Sequence, residues 1–157
     1  MAIIWTNKKE LDAEFKRFEN RYNDKAVELL LRLGEQVVKR ARENGSYTDR
    51  TSNLRNSIGY LVIHNGRIVQ TSFTGNTPSR NGKGDLNFSH KTGLDYAKDV
   101  ASNLDRNKTY LVWVAGMEYA AIVESKGYDV LQGSKDWAES EAQKQIEKFK
   151  RFLLGKK

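Results

Sequence analysis

The sequence predicts an α+β fold, a small, mainly antiparallel sheet packed against long N-terminal and C-terminal helices. Three observations predict it. Apolar residues recur at steps of three and four over 8–43 and again over 134–154, which is helical spacing. Between these stretches Ile58, Tyr60 and Val62 alternate ahead of Asn65-Gly66, and Ile68-Val69-Gln70-Thr71-Ser72-Phe73 returns, the pattern of a β-hairpin. Tyr110-Leu111-Val112-Trp113-Val114 is an uninterrupted run of strand formers. The chain has 157 residues, a length that predicts one domain spanning 1–157 and a core that needs no cross-links. It contains no cysteine, so disulfides and thiolate metal sites are excluded. No apolar run approaches the 18 or so residues of a membrane-spanning helix, and Met1-Ala2-Ile3-Ile4-Trp5 is too short for the core of a signal peptide.

The first helix is expected over 8–43. Leu11, Phe15, Phe18, Tyr22, Ala26, Leu29, Leu33, Val37 and Ala41 form its stripe, Asn7 with Glu10 makes a capping box, and Asn44-Gly45 makes a stop. Thirty-six residues at 1.5 Å each would span roughly 54 Å, whereas a domain of this size is about 30–40 Å across. The helix must therefore break, near Asn23-Asp24 or Gly34, or project beyond its own core. A projecting apolar stripe needs a partner, and Phe15, Phe18 and Tyr22 become candidate oligomer contacts.

A hairpin follows over 57–73. Asn65-Gly66 suits a type I′ turn, which needs positive φ at both positions and would pair Ile63 with Ile68. Residues 74–92 change character. Gly75, Gly82 and Gly84, with Gly93 beyond, accompany the only proline, Pro78, and Leu86 and Phe88 are the only large apolar residues. The segment is read as a flexible loop, functional or disordered, with Arg80, Lys83 and Lys91 facing DNA or a neighbouring subunit. A short helix over 93–105 follows a Thr92 cap, with Leu94, Ala97, Val100, Ala101 and Leu104 inward. Residues 109–115 read as the central strand, apolar on both faces. Residues 117–124 form a short helix with Tyr119, Ile122 and Val123 on one side. The last helix, 134–154, is capped by Ser134, striped by Ala138, Ala142, Ile146, Phe149 and Leu153, and stopped by Gly155, ahead of a basic tail at 155–157.

The net charge is +7, and it is not evenly spread. Residues 143–157 hold six basic residues against the single acid Glu147, a net of +5. That patch fits nucleic acid, or a solvated helix end favoured by the helix dipole. No aromatic residues interleave on it as a single-strand platform requires, and Trp5, Trp113 and Trp137 are spread out as core or interface anchors. Little in the chain suggests catalysis. His64 flanks the hairpin turn and reads as a surface residue, and His90 lies in the glycine-rich segment near Lys91 and Asp85. Neither has acidic or histidine neighbours at metal-ligand spacing, so no metal site is implied. No nucleophile-elbow or phosphate-loop sequence occurs. Glu124 ends an apolar helical turn just before Ser125-Lys126-Gly127. It reads either as a general acid or base, which would need a partner and a pocket, or as a carboxylate that locks the turn through backbone amides or an arginine, Arg50 or Arg55. A hydrolase would need Glu124 and His90 in one site.

Two motifs stand out. Thr51-Ser52-Asn53-Leu54-Arg55-Asn56-Ser57-Ile58 leads into the hairpin. The third strand feeds Ala115-Gly116-Met117-Glu118-Tyr119-Ala120-Ala121-Ile122-Val123-Glu124, which continues to Gly127. With the N-terminal helix these give, in order over roughly 8–154, a helix, T-x-N-L-R-x-S-I, a hairpin, a strand and Y-A-x-x-V-E-x-x-G. This order resembles the tail-component family of tailed phages, variously called head–tail joining, tail-completion or minor capsid proteins. The resemblance marks Asn53, Leu54, Arg55, Tyr119, Glu124 and Gly127 as structural motif residues. It implies a helix-flanked sheet, no enzymatic activity and no cofactor. It also implies a subunit of a homo-oligomeric ring at the neck or upper tail of a siphophage or prophage particle, made in the bacterial host cytoplasm and ending in the virion. Other neck or tail proteins would be its partners, with non-specific contact to genomic DNA passing through the hole and no membrane. The chain departs from the family pattern at Gly127-Tyr128-Asp129-Val130-Leu131-Gln132-Gly133, where relatives often carry proline and phenylalanine, and in the length of 74–92. The alternative is a basic nucleic-acid-binding module outside any virion.

Overall fold

The computed structural model describes residues 8–155, with the side chains of 8–12 and of Phe15 outside that description. Trp5, the Asn7–Glu10 capping box and Lys156-Lys157 therefore also lie outside the described residues. In chain order the elements are α1 (Lys8–Asn44), α2 (Asn53–Asn56), β1 (Ile58–His64), β2 (Arg67–Ser72), α3 (Leu86–Ser102), β3 (Thr109–Ala115), α4 (Ala120–Ser125) and α5 (Gln132–Leu153). The fold is α+β, with a three-stranded antiparallel sheet between helices.

The sheet order is β2-β1-β3, so β1 is the centre and β3 an edge. This corrects the expectation that 109–115 is central. An apolar run alone does not distinguish a middle strand from an edge strand covered by helices, whereas every β1 residue from Ile58 to Ile63 is buried. Alternation along β1 sends its side chains to two cores. Ile58, Tyr60 and Val62 pack with Val37, Val38 and Ala41 of α1 and Ala138 of α5, while Leu61 and Ile63 pack with Ala97 of α3. The hairpin turns at Asn65 (φ 49°) and Gly66 (φ 73°) with Ile63 opposite Ile68, as Asn-Gly predicts. The β2 edge is exposed along Arg67–Thr71 and is kept short, with a register irregularity between Val62 and Ile63.

Helix α1 does not break. Among its described side chains the buried ones lie within Leu33–Ala41, and those from Ala13 to Lys25 are exposed except for half-buried Asn23. The outer half of the helix therefore extends past the sheet, and the end of α5 runs beside it, with the Tyr22 and Phe149 rings 5.2 Å apart. Over the sheet, Arg42 donates to the Ile58 carbonyl and the Tyr60 hydroxyl donates to Glu35 Oε1 at 2.8 Å.

Three helix starts differ from expectation. Helix α3 begins at Leu86, not after Thr92, because the Asp85 carboxylate accepts from Phe88 N at 2.9 Å and caps it seven residues earlier. Gly93 then lies inside the helix, where a Cβ would sit 2.3 Å from the Ser57 carbonyl. A glycine that looks like punctuation in sequence is a point of close approach. Helix α4 spans Ala120–Ser125 rather than 117–124, and it buries Ala120 while Tyr119 and Ile122 are exposed. Helix α5 starts at Gln132 without Ser134 as cap. The Ser134 hydroxyl instead donates back to the Leu131 carbonyl at 2.7 Å.

Candidate functional site

The two sequence motifs meet in space. Ser57, at the end of the first, donates its hydroxyl to the Leu54 carbonyl (2.7 Å) and accepts from Gly116 N (3.1 Å) at the start of the second. Gly116 is required there, since a Cβ on it would lie 2.4 Å from Gly93 Cα. Asn53 accepts on Oδ1 from Asp85 N (2.9 Å) and Ser89 Oγ (3.2 Å), fastening the start of α3. Leu54 is core, 2% exposed. Arg55 donates its amide to Asp49 Oδ2 (2.9 Å) and lays its guanidinium over the Tyr47 ring, 5.1 Å from the centroid.

The segment read as a flexible loop over 74–92 shrinks to the stretch between β2 and α3, and the first motif tethers it. The Asn56 amide group closes a pair of bonds on Thr77, donating to its carbonyl (3.0 Å) and accepting from its N–H (2.7 Å). Ser52 Oγ donates to the Pro78 carbonyl at 2.7 Å, and Arg80 N donates to the Arg50 carbonyl at 3.0 Å. Composition missed this because the partners lie outside the segment. Polar side chains of 52–56, two of them almost fully buried, supply what the loop lacks. Arg80 and Lys83 are exposed on it, and Lys91 is exposed on α3 instead. Ser57 was read only as the serine of the first motif, and Ser52 and Asn56, equally part of the architecture, fell on its unspecified positions. The signal available was the set of polar residues on both sides of the apolar Leu54.

Glu124 takes the second of its two readings. Its carboxylate accepts from Val130 N (3.2 Å), Leu131 N (2.9 Å) and Gln132 N (3.1 Å), three amides at the start of α5. Neither Arg50 nor Arg55 bonds to it. Asp129 Oδ1 takes the next amide, Gly133 N, at 2.9 Å. Gly127, with φ 86°, ends α4 in the left-handed conformation that turns the chain back toward those amides. Tyr119 is largely exposed beside Asp49 and Thr51, and the partial burial of its phenol together with the Asp49 charge raises that group above its ordinary value. His90 Nε2 bonds the Gly75 carbonyl (2.7 Å), and half-buried His64 bonds Thr109 Oγ1 (2.7 Å), so each imidazole is engaged locally, apart from Glu124. Among the described residues no group of three or more histidines and carboxylates is placed to hold a metal.

A second region is the arm made by the outer part of α1 and the end of α5. Phe18 (55% exposed), Tyr22, Ile146, Phe152 and Leu154 leave an apolar surface there, with a groove of about 370 Å³ lined by Phe18, Tyr22, Phe149, Phe152 and Leu153. Arg21 and Lys25 rim it with Asp24. Trp137, farther down α5, is held under Arg40 at 5.6 Å. No helix among the described residues is long and apolar enough to cross a membrane. Comparisons with protein-family models, with curated proteins and with solved structures find no match to this chain.

Proposed function

We propose that this protein is a structural subunit of a homo-oligomeric ring in the neck or upper tail of a siphophage or prophage particle. The observation that carries the reading is the exposed apolar face of the α1–α5 arm, with Phe18, Tyr22 and Phe152 open on a helix pair that extends past the sheet. Aromatic surface of this kind marks association sites. The ordered motifs support the same reading, since they build a junction that fixes helices and loop in place and leave the histidines and Glu124 in structural hydrogen bonds.

Charge favours a second copy as the occupant of the arm. Residues 118–141 carry six acids against two lysines, a net of −4, while 143–157 carry +5. Opposite signs on two parts of one chain suit head-to-tail contacts, which close into rings. The basic arm also favours a second reading, a module that binds nucleic acid through phosphate contacts alone.

Negative-stain imaging over a protein concentration series, with and without particles lacking this subunit, tests the ring. Rings, or incorporation that restores particles, are expected. Affinity for duplex DNA that falls steeply with salt, with no self-association at any concentration and no incorporation, favours the second reading.

A further inference from the structure

Helix α3 buries one side, with Ser89, Gly93 and Ala97 toward the sheet. On its outer side Phe88, Asp95 and Asp99 fall at intervals of seven and four, one row of a helix, with Tyr96 beside them. Phe88 is 53% and Tyr96 49% exposed, and aromatic surface in a row marks a contact. The Asp99 carbonyl, not its carboxylate, takes the Ser102 and Asn103 side chains. Among the described residues neither Asp95 nor Asp99 is in an ion pair.

The arm offers the complement. Two grooves of about 320 and 370 Å³ share Lys25, Phe149 and Phe152 and run along α1 from Phe18 to Gln36. That stretch is roughly 27 Å long, and the 17 residues of α3 make roughly 26 Å. The charged residues around the grooves are four cations, Arg21, Lys25, Arg32 and Lys148, against Asp24 and Glu28. Glu28 already holds Lys25 and Arg32. Arg21 and Lys148 are in no ion pair among the described residues.

We infer that the groove of one copy receives α3 of the next, an inference that rests on the ring reading and names its contact. Phe88 and Tyr96 meet the apolar floor, and Asp95 and Asp99 meet Arg21 and Lys148 on the rim. Topology supports the pairing. The arm's helices pack on the face of the sheet that carries Tyr60 and Val62, and α3 on the face that carries Leu61 and Ile63. Groove and row thus belong to opposite sides of the sheet. A copy cannot fill its own groove, yet it can use both surfaces at once, as a head-to-tail contact requires. Other exposed apolar spots fit less well. Strand β2 presents Ile68 and Val69 beside Arg67, of like charge to the groove. Helix α4 presents Tyr119 and Ile122, but five of the six acids of 118–141 are engaged within the chain. Glu124 and Asp129 hold amides, Asp136 holds Gln132, and Glu139 and Glu141 pair with lysines. That stretch steers the approach of a neighbour, and α3 supplies the contact.

Two variants separate the surfaces. Phe18→Asp disables the groove and Phe88→Asp the row, and both side chains are exposed, so circular dichroism should match wild type. Sedimentation of the full chain over a concentration series is measured together with incorporation into particles lacking this subunit. Each variant alone should stay monomeric. Their equimolar mixture should form a dimer and stop, since each supplies the surface that the other lacks and nothing remains to extend the pair. Asp95→Lys with Asp99→Lys should weaken association about tenfold or more, and adding Arg21→Glu with Lys148→Glu to the same chain should restore most of it. Wild type that neither associates nor enters particles overturns the ring reading and this contact with it. Wild type that associates while Phe88→Asp associates equally, or while the mixture fails to pair, overturns this contact and leaves the ring standing. Where wild type assembles only on particles, incorporation of Phe88→Asp at the wild-type level overturns the contact likewise.

Discussion

Glu124 receives three consecutive amides at the start of a helix whose own N-cap residue, Leu131, offers no side-chain acceptor. Glu124→Ala should therefore cost about 1–3 kcal/mol in a urea titration, and Glu124→Gln clearly less, since one amide oxygen still accepts. Equal, negligible losses would mean the three amides find water as readily. The position of Glu124 before Gly127 hinted at a structural role, but its partners six to eight residues ahead were not legible. They depend on how the turn at Gly127 closes. Tyr47 gives a pH test. Burial pushes its phenol up to about 12, against an ordinary value near 10. The native chain then keeps a proton that the unfolded chain has lost, so stability is complete below about pH 10 and falls as pH rises toward about 12. Tyr47→Phe should flatten that fall. Some slope should remain, because burial and the Glu35 hydrogen bond raise Tyr60 in the same direction. A variant with an unchanged alkaline slope would remove Tyr47 from the account.

Elements meet through glycines that serve different ends. Gly66 needs its positive φ and also faces the Arg106 stem, 3.1 Å from where a Cβ would lie. Gly66→Val should lower stability by roughly 1–2 kcal/mol, and an unchanged denaturation midpoint would refute the turn assignment. At Gly116 the demand is space, because a Cβ would press on the Gly93 backbone of α3. Gly116→Ala should cost about 1–3 kcal/mol or more, with amide exchange rising first in α3. Local patterns made the hairpin and the two long helices readable, because a period of two or of 3.6 is written in neighbouring residues. The early start of α3 was hidden by Gly93 and by a first turn whose apolar residues, Leu86 and Phe88, are exposed. The tethering of 74–85 was hidden because Asn56 and Ser52 act across 21 and 26 residues. The candidate site was half legible in the same sense. Its motif residues were visible as a pattern, but Tyr47, which lies under Arg55, joined them only through the fold.

The whole molecule divides into a core around the sheet and an arm outside it, and length was what predicted the division. A helix too long for its domain had to break or project, and α1 projects. Phe18→Asp should then leave circular dichroism and Tm nearly unchanged, because that side chain is 55% exposed, while preventing incorporation into particles through a buried unpaired charge. Unfolding of the variant would place Phe18 in the core, and normal incorporation would move the contact elsewhere. Phe15, a further aromatic of the stripe, lies outside the described side chains. The carboxylate at the foot of α5 also has a mechanical meaning. With 22 residues, α5 is a rod of roughly 33 Å. Held at its base and packed along α1, it can tilt only together with that helix, and a tilt of the pair by about 10° would carry the far end roughly 6 Å, about one helical turn. In the proposed ring, neighbours that grip the arm would load the three-amide clamp at Glu124 along with the α1–α5 packing.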